Sequence, residues 1–322
     1  MTDAQPNRVM YGRALAELGE RRPEIVVLEA DISKATNTFQ FGKRFPRRFF
    51  NLGVQEQNMV GMAAGLASVG FMPFVSTFVV FLSMRAIEQI RTSVAYPKLN
   101  VKIVATNAGV EIAGDGVTHQ GVEDLAILRS IPNMMVVSPS DPVTTRKAVY
   151  AVADHLGPVY MRLGRQTANV IHAEEVDFQL GKMIRLREGR DLTIIGTGNM
   201  VEAALKAADA LSARGIAARV LDCHTVKPID TNAIRAAAAE TGGIVTAEDH
   251  NVIGGLGSAV CEVVADCCPV RVKRVGLRDV FASSGRDYQK LLAHYGIDAG
   301  SIVKTSAELV AEKTRPGCGT RA

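Results

Sequence analysis

Short apolar runs rich in valine, isoleucine and phenylalanine alternate along this chain with longer stretches of helical periodicity. In the first half of the chain, the apolar runs occupy residues 24–31, 71–77, 100–109, 133–141 and 158–164. A helical stretch, PVTTRKAVYAVADHL at 142–156, separates the last two of them. This alternation predicts βαβ units and a mostly parallel sheet, and strands that are apolar throughout predict burial on both faces of that sheet.

The same pattern restarts after a polar, irregular stretch. Its apolar runs lie at 191–198, 216–226 and 270–277, with helical stretches between them. We therefore predict an α/β fold of two doubly wound, mostly parallel-sheet domains, and the length of 322 residues favours two domains. The expected boundaries are a first domain at 1–166, a linker at 167–190, a second domain at 191–315 and a flexible tail at 316–322.

The charge balance argues against binding to nucleic acid or to a membrane surface. The chain has 37 lysine and arginine residues against 33 aspartate and glutamate residues, without a dense basic run. No signal-peptide pattern and no transmembrane-length apolar span is present in the sequence. The odd number of cysteines fits reduced thiols better than disulfides or a zinc site: Cys223, Cys261, Cys267, Cys268 and Cys318. We therefore expect a cytoplasmic protein.

The stretch FFNLGVQEQNMVGMAAGLASVG, at 49–70, contains an acidic side chain at the start of a helix crowded with small residues. Small residues allow a second helix to approach closely, including one across a subunit boundary. The helix dipole stabilises a negative charge at this position, and this stabilisation alone could explain the presence of Glu56. Its surroundings are apolar, however, and burying a carboxylate without a partner is costly. Glu56 is therefore a candidate for a role in proton chemistry.

Several motifs, in order, resemble the transketolase family. EQN at 56–58, STFVVF at 76–81 and GDGVTHQGVEDLAILRSIPNM at 114–134 resemble its pyrimidine-binding domain. RVLDCHTVKPID at 219–230 and TAEDHNVIGGLGSAV at 246–260 resemble its C-terminal domain. The family's diphosphate-binding motif, Gly-Asp-Gly followed about 30 residues later by asparagine, is not found. The resemblance therefore implies the C-terminal subunit of a split, two-chain transketolase.

This resemblance implies a thiamine diphosphate site shared with another chain. Glu56 would activate the aminopyrimidine ring of the cofactor, and general acid–base catalysis of this kind is typically worth about 10²–10⁴-fold. Phe78 and Phe81 match the aromatic pocket for that ring, although two phenylalanines at this spacing are by themselves more typical of a core. Met84 stands where the family usually has tyrosine and cannot donate a hydrogen bond. Asp31 matches a cofactor-contacting acid, and a strand-end turn explains it equally well.

The resemblance also implies a set of substrate-binding residues. Asp115 and His119 match residues that contact the hydroxyls and the carbonyl of a ketose, and His119 would be catalytic together with Glu56. Arg8 and Arg165 match arginines for the substrate phosphate, a group that guanidinium binds through paired hydrogen bonds. Asn107 stands where the family often has histidine, so the resemblance does not identify the donor sugar. No metal ligand is predicted in this chain, because Mg²⁺ would be bound through the partner subunit.

The implied function is transfer of a two-carbon ketol unit from a ketose phosphate to an aldose phosphate. The implied partners are an N-terminal subunit that binds the diphosphate and Mg²⁺, and a second copy of each chain in an α2β2 assembly. Two alternatives stay within the cofactor family, a 1-deoxyxylulose-5-phosphate synthase-like subunit and a 2-oxoacid dehydrogenase beta-like subunit. A third is a non-catalytic partner that stabilises or regulates an enzyme.

Overall fold

The computed structural model describes residues 2–314, so the predicted tail at 316–322 and Cys318 lie outside the described residues. Its strands, in chain order, are β1 Gln5–Pro6, β2 Ile25–Glu29, β3 Phe49–Asn51, β4 Met72–Phe78, β5 Lys102–Thr106, β6 Met135–Val137, β7 Val159–Arg162, β8 Thr167–Ala168, β9 Ile184–Arg187, β10 Leu192–Gly196, β11 Ala218–Asp222, β12 Thr225–Lys227, β13 Gly243–Asn251 and β14 Arg271–Leu277.

The α-helices are α1 Asn7–Arg21, α2 Ser33–Thr36, α3 Phe39–Arg44, α4 Glu56–Ser68, α5 Ile87–Gln89, α6 Asp124–Ser130, α7 Pro142–Asp154, α8 Met200–Ser212, α9 Thr231–Thr241, α10 Leu256–Cys267, α11 Tyr288–His294 and α12 Ala299–Thr314. Two π-helical turns, Phe81–Arg85 and Ile90–Ala95, flank α5, and short 3₁₀ segments lie at Pro46–Arg48 and Gly109–Asp115.

Two mostly parallel sheets organise the described residues, which confirms the predicted fold class. The larger sheet has the order β12-β6-β7-β5-β4-β2-β3 and is parallel except for the edge strand β12. The smaller sheet has the order β14-β13-β10-β11-β9 and is parallel except for β9. Every residue of β2, β5, β7, β10 and β11 is buried, as expected for strands covered on both faces.

The two halves interlock at places that the apolar pattern did not indicate. The edge strand β12, from the second half of the chain, pairs with β6 of the larger sheet. The segment predicted to be a linker, 167–190, contains β8, which pairs with β1, and β9, which pairs with β11. These short strands carry too few residues for a periodic signal, so only the sheet edges available to them determine where they pair.

Several helices begin directly after an aspartate that caps them. The side chains of Asp141, Asp230 and Asp287 accept hydrogen bonds from backbone N–H groups in the first turns of α7, α9 and α11. Such caps satisfy amides that have no partner inside the helix. Asp141 lies in the short connection between the end of β6 at Val137 and the start of α7, so it also fixes where the chain turns from the strand into the helix.

Candidate functional site

Four of the predicted site residues lie at the carboxyl ends of neighbouring strands in the larger sheet. Asp31 comes soon after β2, Phe78 ends β4, Asn107 comes directly after β5, and Arg165 comes soon after β7. These strands are parallel neighbours, so their carboxyl ends meet at one edge of the sheet. Crevices at this edge are where open α/β sheets bind ligands. The strand order of the sheet thus places residues from distant parts of the sequence along one edge.

Glu56 is the first residue of α4, and its side chain is only 1% exposed. The Nη1 atom of Arg85 donates a hydrogen bond to its Oε2 atom at 2.8 Å. Arg85 was not predicted as a site residue. The only signal in the sequence is that it is a single cation near the end of an otherwise apolar stretch. The structure therefore supplies the partner that a buried carboxylate requires.

An aromatic cluster lies beside this ion pair. The rings of Phe78 and Phe81 are stacked, with centroids 6.0 Å apart and an interplanar angle of 23°. The imidazole of His119 meets both rings edge-on, at 6.0 Å and 5.5 Å, and the guanidinium of Arg85 lies over the Phe81 ring at 4.5 Å. Glu56, Arg85, the two phenylalanines and His119 thus form one continuous set of contacts.

The π-helical turn Phe81–Arg85 carries part of this cluster. It contains Met84, whose side chain is 43% exposed. Such turns are frequent at functional sites, where the extra residue moves side chains out of the regular helical spacing. A surface cavity of about 260 Å³ lies next to the cluster and is lined by residues 54–58 and Arg85.

A second set of contacts joins the predicted phosphate-binding residues. The Nη1 atom of Arg165 lies 3.2 Å from Oδ2 of Asp115, and the Nε atom of Arg8 donates to the backbone oxygen of Arg165 at 3.5 Å. Burial and the positive charge of Arg165 lower the pKa of the Arg8 guanidinium. Two neighbouring guanidinium groups favour an anion. The loop between Asp115 and His119 connects this set to the aromatic cluster.

Asp31 is held at the ends of β2 and β3. Its backbone has a φ of 66°, and its Oδ1 atom accepts a hydrogen bond from Asn51 Nδ2 at 2.8 Å. The Oδ1 atom of Asn51 accepts from the backbone N–H groups of Asp31 and Gly53. Asp31 is therefore fixed beside the turn that leads into Glu56, although it contacts neither of the two sets above within residues 2–314.

Asn107 is almost fully buried and has a φ of 63°. Its side-chain oxygen has no hydrogen-bond partner among the described residues. A buried polar atom of this kind is unusual and calls for a partner. Among the residues that the structure describes, no group of three or more His, Cys, Asp or Glu side chains is arranged to hold a metal ion, and no helix is long and apolar enough to cross a membrane.

Comparisons with known proteins cover nearly the whole chain. The family described as "Transketolase, pyrimidine binding domain" matches residues 4–170, and the family described as "Transketolase, C-terminal domain" matches residues 181–302. A "Putative transketolase C-terminal section" of Methanocaldococcus jannaschii is 48% identical, over 92% of this chain and 94% of that protein. A "6-deoxy-6-sulfo-D-fructose transketolase subunit SqwH" of a Clostridium species is 44% identical, over 95% of each.

The fold is similar to that of a solved structure described as "Split gene transketolase, inactive beta4 tetramer". The two share 48% of their sequence with a TM-score of 0.88, and the alignment covers 96% of this chain and 99% of that one.

Proposed function

The chain belongs to the transketolase family, and we propose that it is the aminopyrimidine-activating subunit of a two-chain transketolase. The observation that carries the proposal is the buried carboxyl of Glu56, whose partner Arg85 lies over the Phe81 ring of the stacked Phe78–Phe81 pair. We further propose that the complete enzyme moves a two-carbon ketol unit from a ketose phosphate to an aldose phosphate.

The residues present fit the aminopyrimidine ring of thiamine diphosphate. A flat heteroaromatic ring needs an apolar face for stacking and a hydrogen-bonding group for its ring nitrogen. Phe78 and Phe81 offer the first, and the Glu56 carboxyl offers the second. When bound, thiamine diphosphate supplies a carbon nucleophile that attacks the ketose carbonyl.

Glu56 then acts on that ring by holding a hydrogen bond at nitrogen N1′. Arg85 engages one of its two oxygens, which fixes the orientation of the carboxyl group. The carboxyl is almost fully buried, and exclusion of water strengthens its electrostatic effect. Asp31 and Met84 complete the proposed cofactor-binding set.

His119 and the phosphate-binding residues are proposed to bind the sugar. The hydroxyl of Thr118 engages Nδ1 of His119 at 2.8 Å, so Nε2 is left to face the substrate. Arg8 and Arg165 are proposed to bind the phosphate, with Asp115 and Asn107 contacting hydroxyl groups nearer the reacting carbon. This pair of arginines also disfavours a 2-oxoacid dehydrogenase subunit, whose substrates carry no phosphate.

Substitution of Glu56 by glutamine is expected to reduce kcat of the assembled enzyme by about 10²–10⁴-fold. An amide keeps the volume and hydrogen-bonding capacity of the side chain, but it cannot exchange a proton with N1′. The matched control is Glu88→Gln, an acidic residue between the two π-helical turns that takes no part in the cluster. Full activity of the Glu56→Gln assembly would support a merely stabilising role for this chain instead.

Assembly with a second chain is proposed to be necessary, since the chain's residues account for the pyrimidine and sugar sites only. The partner is expected to bind the diphosphate through Mg²⁺, and the assembly is proposed to contain two copies of each chain. Ketol transfer should be absent from the isolated chain and appear when a partner with a diphosphate-binding motif, thiamine diphosphate and Mg²⁺ are added. Complete activity of the isolated chain would refute the proposal.

The donor sugar can be identified in the same assay. The Clostridium relative is named for 6-deoxy-6-sulfo-D-fructose, so family membership alone does not identify the donor. Pyruvate, as used by a deoxyxylulose-phosphate synthase, should be compared with phosphorylated ketoses. Product formation with pyruvate as the donor, and none with the phosphorylated ketoses, would favour the synthase-like alternative.

A further inference from the structure

The second half of the chain reaches over the loop that carries Asp115. Asp249, in β13 of the smaller sheet, accepts a hydrogen bond from the backbone N–H of Val110, with its two oxygens at 3.1 Å and 3.2 Å from the nitrogen. The approach is so close that a Cβ atom on Gly109 would lie 2.2 Å from the Asp249 carboxylate. Gly109 has a φ of 67°, which glycine adopts readily. Asp249 therefore fixes one end of this loop.

Glu111 fixes a second point, and it does so inside the protein. Its side chain is almost fully buried, and its Oε2 atom accepts hydrogen bonds from the backbone N–H groups of Arg165 and of Gln166, the latter at 3.0 Å. In return, the side chain of Gln166 donates to the backbone oxygen of Glu111 at 2.7 Å. A Cβ atom on Gly164 would lie only 2.4 Å from Glu111 Oε2. Glu111 thus joins the loop of Asp115 to the loop of Arg165.

Two further side chains from the second half of the chain close this arrangement. The hydroxyl of Tyr288 lies 3.5 Å from Glu111 Oε1 and accepts a hydrogen bond from the Asn199 amide. The same amide donates to Oδ2 of Asp249 at 3.2 Å. The carboxyls of Glu111 and Asp249 are therefore connected through Asn199 and Tyr288, and both are buried away from solvent.

We propose that Glu111 is a positioning residue for the sugar phosphate. We also propose that Asp249, from the second half of the chain, fixes the loop that carries Glu111 and places a second acidic group beside it. This inference rests on the proposed function, because it assumes that Arg165 binds the phosphate. Both members of the Arg165–Asp115 pair lie on segments that hydrogen-bond to Glu111 or Asp249. A change in the Glu111 carboxyl therefore changes where the guanidinium lies. The second half of the chain thereby acquires a role in substrate affinity.

The charges around Glu111 make this arrangement sensitive to pH. Burial and the nearby Asp249 raise the pKa of the Glu111 carboxyl to about 7, and burial also raises the pKa of Asp249. The neighbouring cation, Arg162, is already paired with Asp124 at 2.9 Å. The other charged or titratable side chains that line the adjacent cavity are Tyr288 of α11, Glu202 and Lys206 of α8, and Asp298, which precedes α12. Near neutral pH the Glu111 carboxyl therefore gains and loses a proton.

Loss of that proton adds a negative charge to the segment that positions the phosphate-binding arginine. This charge disfavours binding of a phosphate anion. The KM for a phosphorylated donor is therefore expected to rise with pH through about 7. The KM for a ketol donor without phosphate should not follow this curve.

The test uses four variants in the reconstituted holoenzyme. Glu111→Ala should raise the KM for a phosphorylated donor about tenfold below pH 7 and abolish its pH dependence, with little change in kcat or in the KM for a donor without phosphate. Glu111→Gln keeps the acceptor oxygen, so it should retain the low KM and lose the pH dependence. Asp249→Asn removes the neighbouring charge and should shift the KM rise to lower pH. Glu202→Ala, which lines the same cavity but contacts Lys206 and Asn169, should behave as wild type.

Binding of inorganic phosphate to the full chain, followed by calorimetry, provides a readout that does not depend on catalysis. Phosphate affinity should fall about tenfold in Glu111→Ala and stay unchanged in Glu202→Ala. A Glu111→Ala variant that raises the KM of both donors equally, or a Glu111→Gln variant that keeps the pH dependence, would overturn the positioning role. Absence of ketol transfer from every donor in the wild-type assembly would instead refute the proposed function.

Discussion

Among single residues, Glu56 and Arg85 differ in what the sequence reveals about them. Glu56 stands out because an acid at the start of an apolar helix needs an explanation. Arg85 does not, since an isolated arginine is normally interpreted as a solvated side chain. Its role depends on a contact with a residue 29 positions away in the chain, at 2.8 Å. Glu111 went unpredicted for the same reason, because its partners are the backbone N–H groups of residues 165 and 166.

Replacement of Arg85 by methionine is expected to lower the free energy of unfolding by about 1–2 kcal/mol, because it leaves the Glu56 carboxylate buried without its cation. The expected loss of free energy is smaller than for a fully buried ion pair, since the Arg85 side chain is 47% exposed. Urea unfolding of the cofactor-free chain measures it. The control is Arg91→Met, an exposed arginine in the following π-helical turn. Equal loss of stability in both variants would contradict the importance of the ion pair.

Among secondary-structure elements, the long central strands and their helices could be predicted, but the short connecting elements could not. Strands such as β2 and β5 are apolar along their whole length, which is a local signal. Two-residue and three-residue strands such as β8 and β12 form only because an unpaired sheet edge is available. The π-helical turn Phe81–Arg85 was likewise not predicted, since its sequence differs little from that of an ordinary helix.

Two helix caps should differ in strength because their burial differs. Asp141 is fully buried, caps α7, and also accepts hydrogen bonds from the backbone N–H groups of Ile171 and His172. Asp287 caps α11 and is about half exposed. Asp287→Ala is expected to cost about 1 kcal/mol of stability, and Asp141→Ala about 3 kcal/mol or more, because several buried N–H groups lose their acceptor. Chemical denaturation of both variants tests this, and equal losses would disagree with it.

For the whole molecule, a buried histidine connects the two halves. His172 lies in the segment predicted to be a linker, and its Nδ1 and Nε2 atoms are 3.2 Å from Asp141 and 3.3 Å from Asp222. Asp141 starts α7 beside the larger sheet, and Asp222 ends β11 of the smaller one. Although burial opposes it, the two carboxylates raise the pKa of His172 to about 9. The protonated imidazole therefore stabilises the association of the two halves.

The stability that His172 provides should depend on pH with a definite sign. Because its folded pKa is above its unfolded value, the contribution is complete below about pH 6.5 and is lost as the pH rises through about 9. The expected loss is about 3 kcal/mol. Buried Lys102, whose pKa is lowered to about 7 by burial, contributes with the opposite sign over part of this range. The quantity to measure is therefore the difference in the free energy of unfolding between the wild type and a His172 variant.

That difference is measured by urea unfolding of the wild type and of His172→Gln between pH 6.5 and pH 9. Both proteins contain Lys102, so its contribution cancels. The wild type should lose about 3 kcal/mol more than the variant over this range. Parallel curves for the two proteins would show that His172 is not charged in the folded state.

The sequence by itself determined the class of fold and, through its motifs, the family. The class of fold follows from the alternation of apolar runs with helical stretches, and the family follows from the order of the motifs at 56–58, 76–81 and 114–134. Only the tertiary structure decided which distant groups meet: Arg85 with Glu56, Asp249 with the loop of Asp115, and His172 between two aspartates. Each of these contacts joins residues far apart in the chain, and their distances and burial depend on packing that no local pattern encodes.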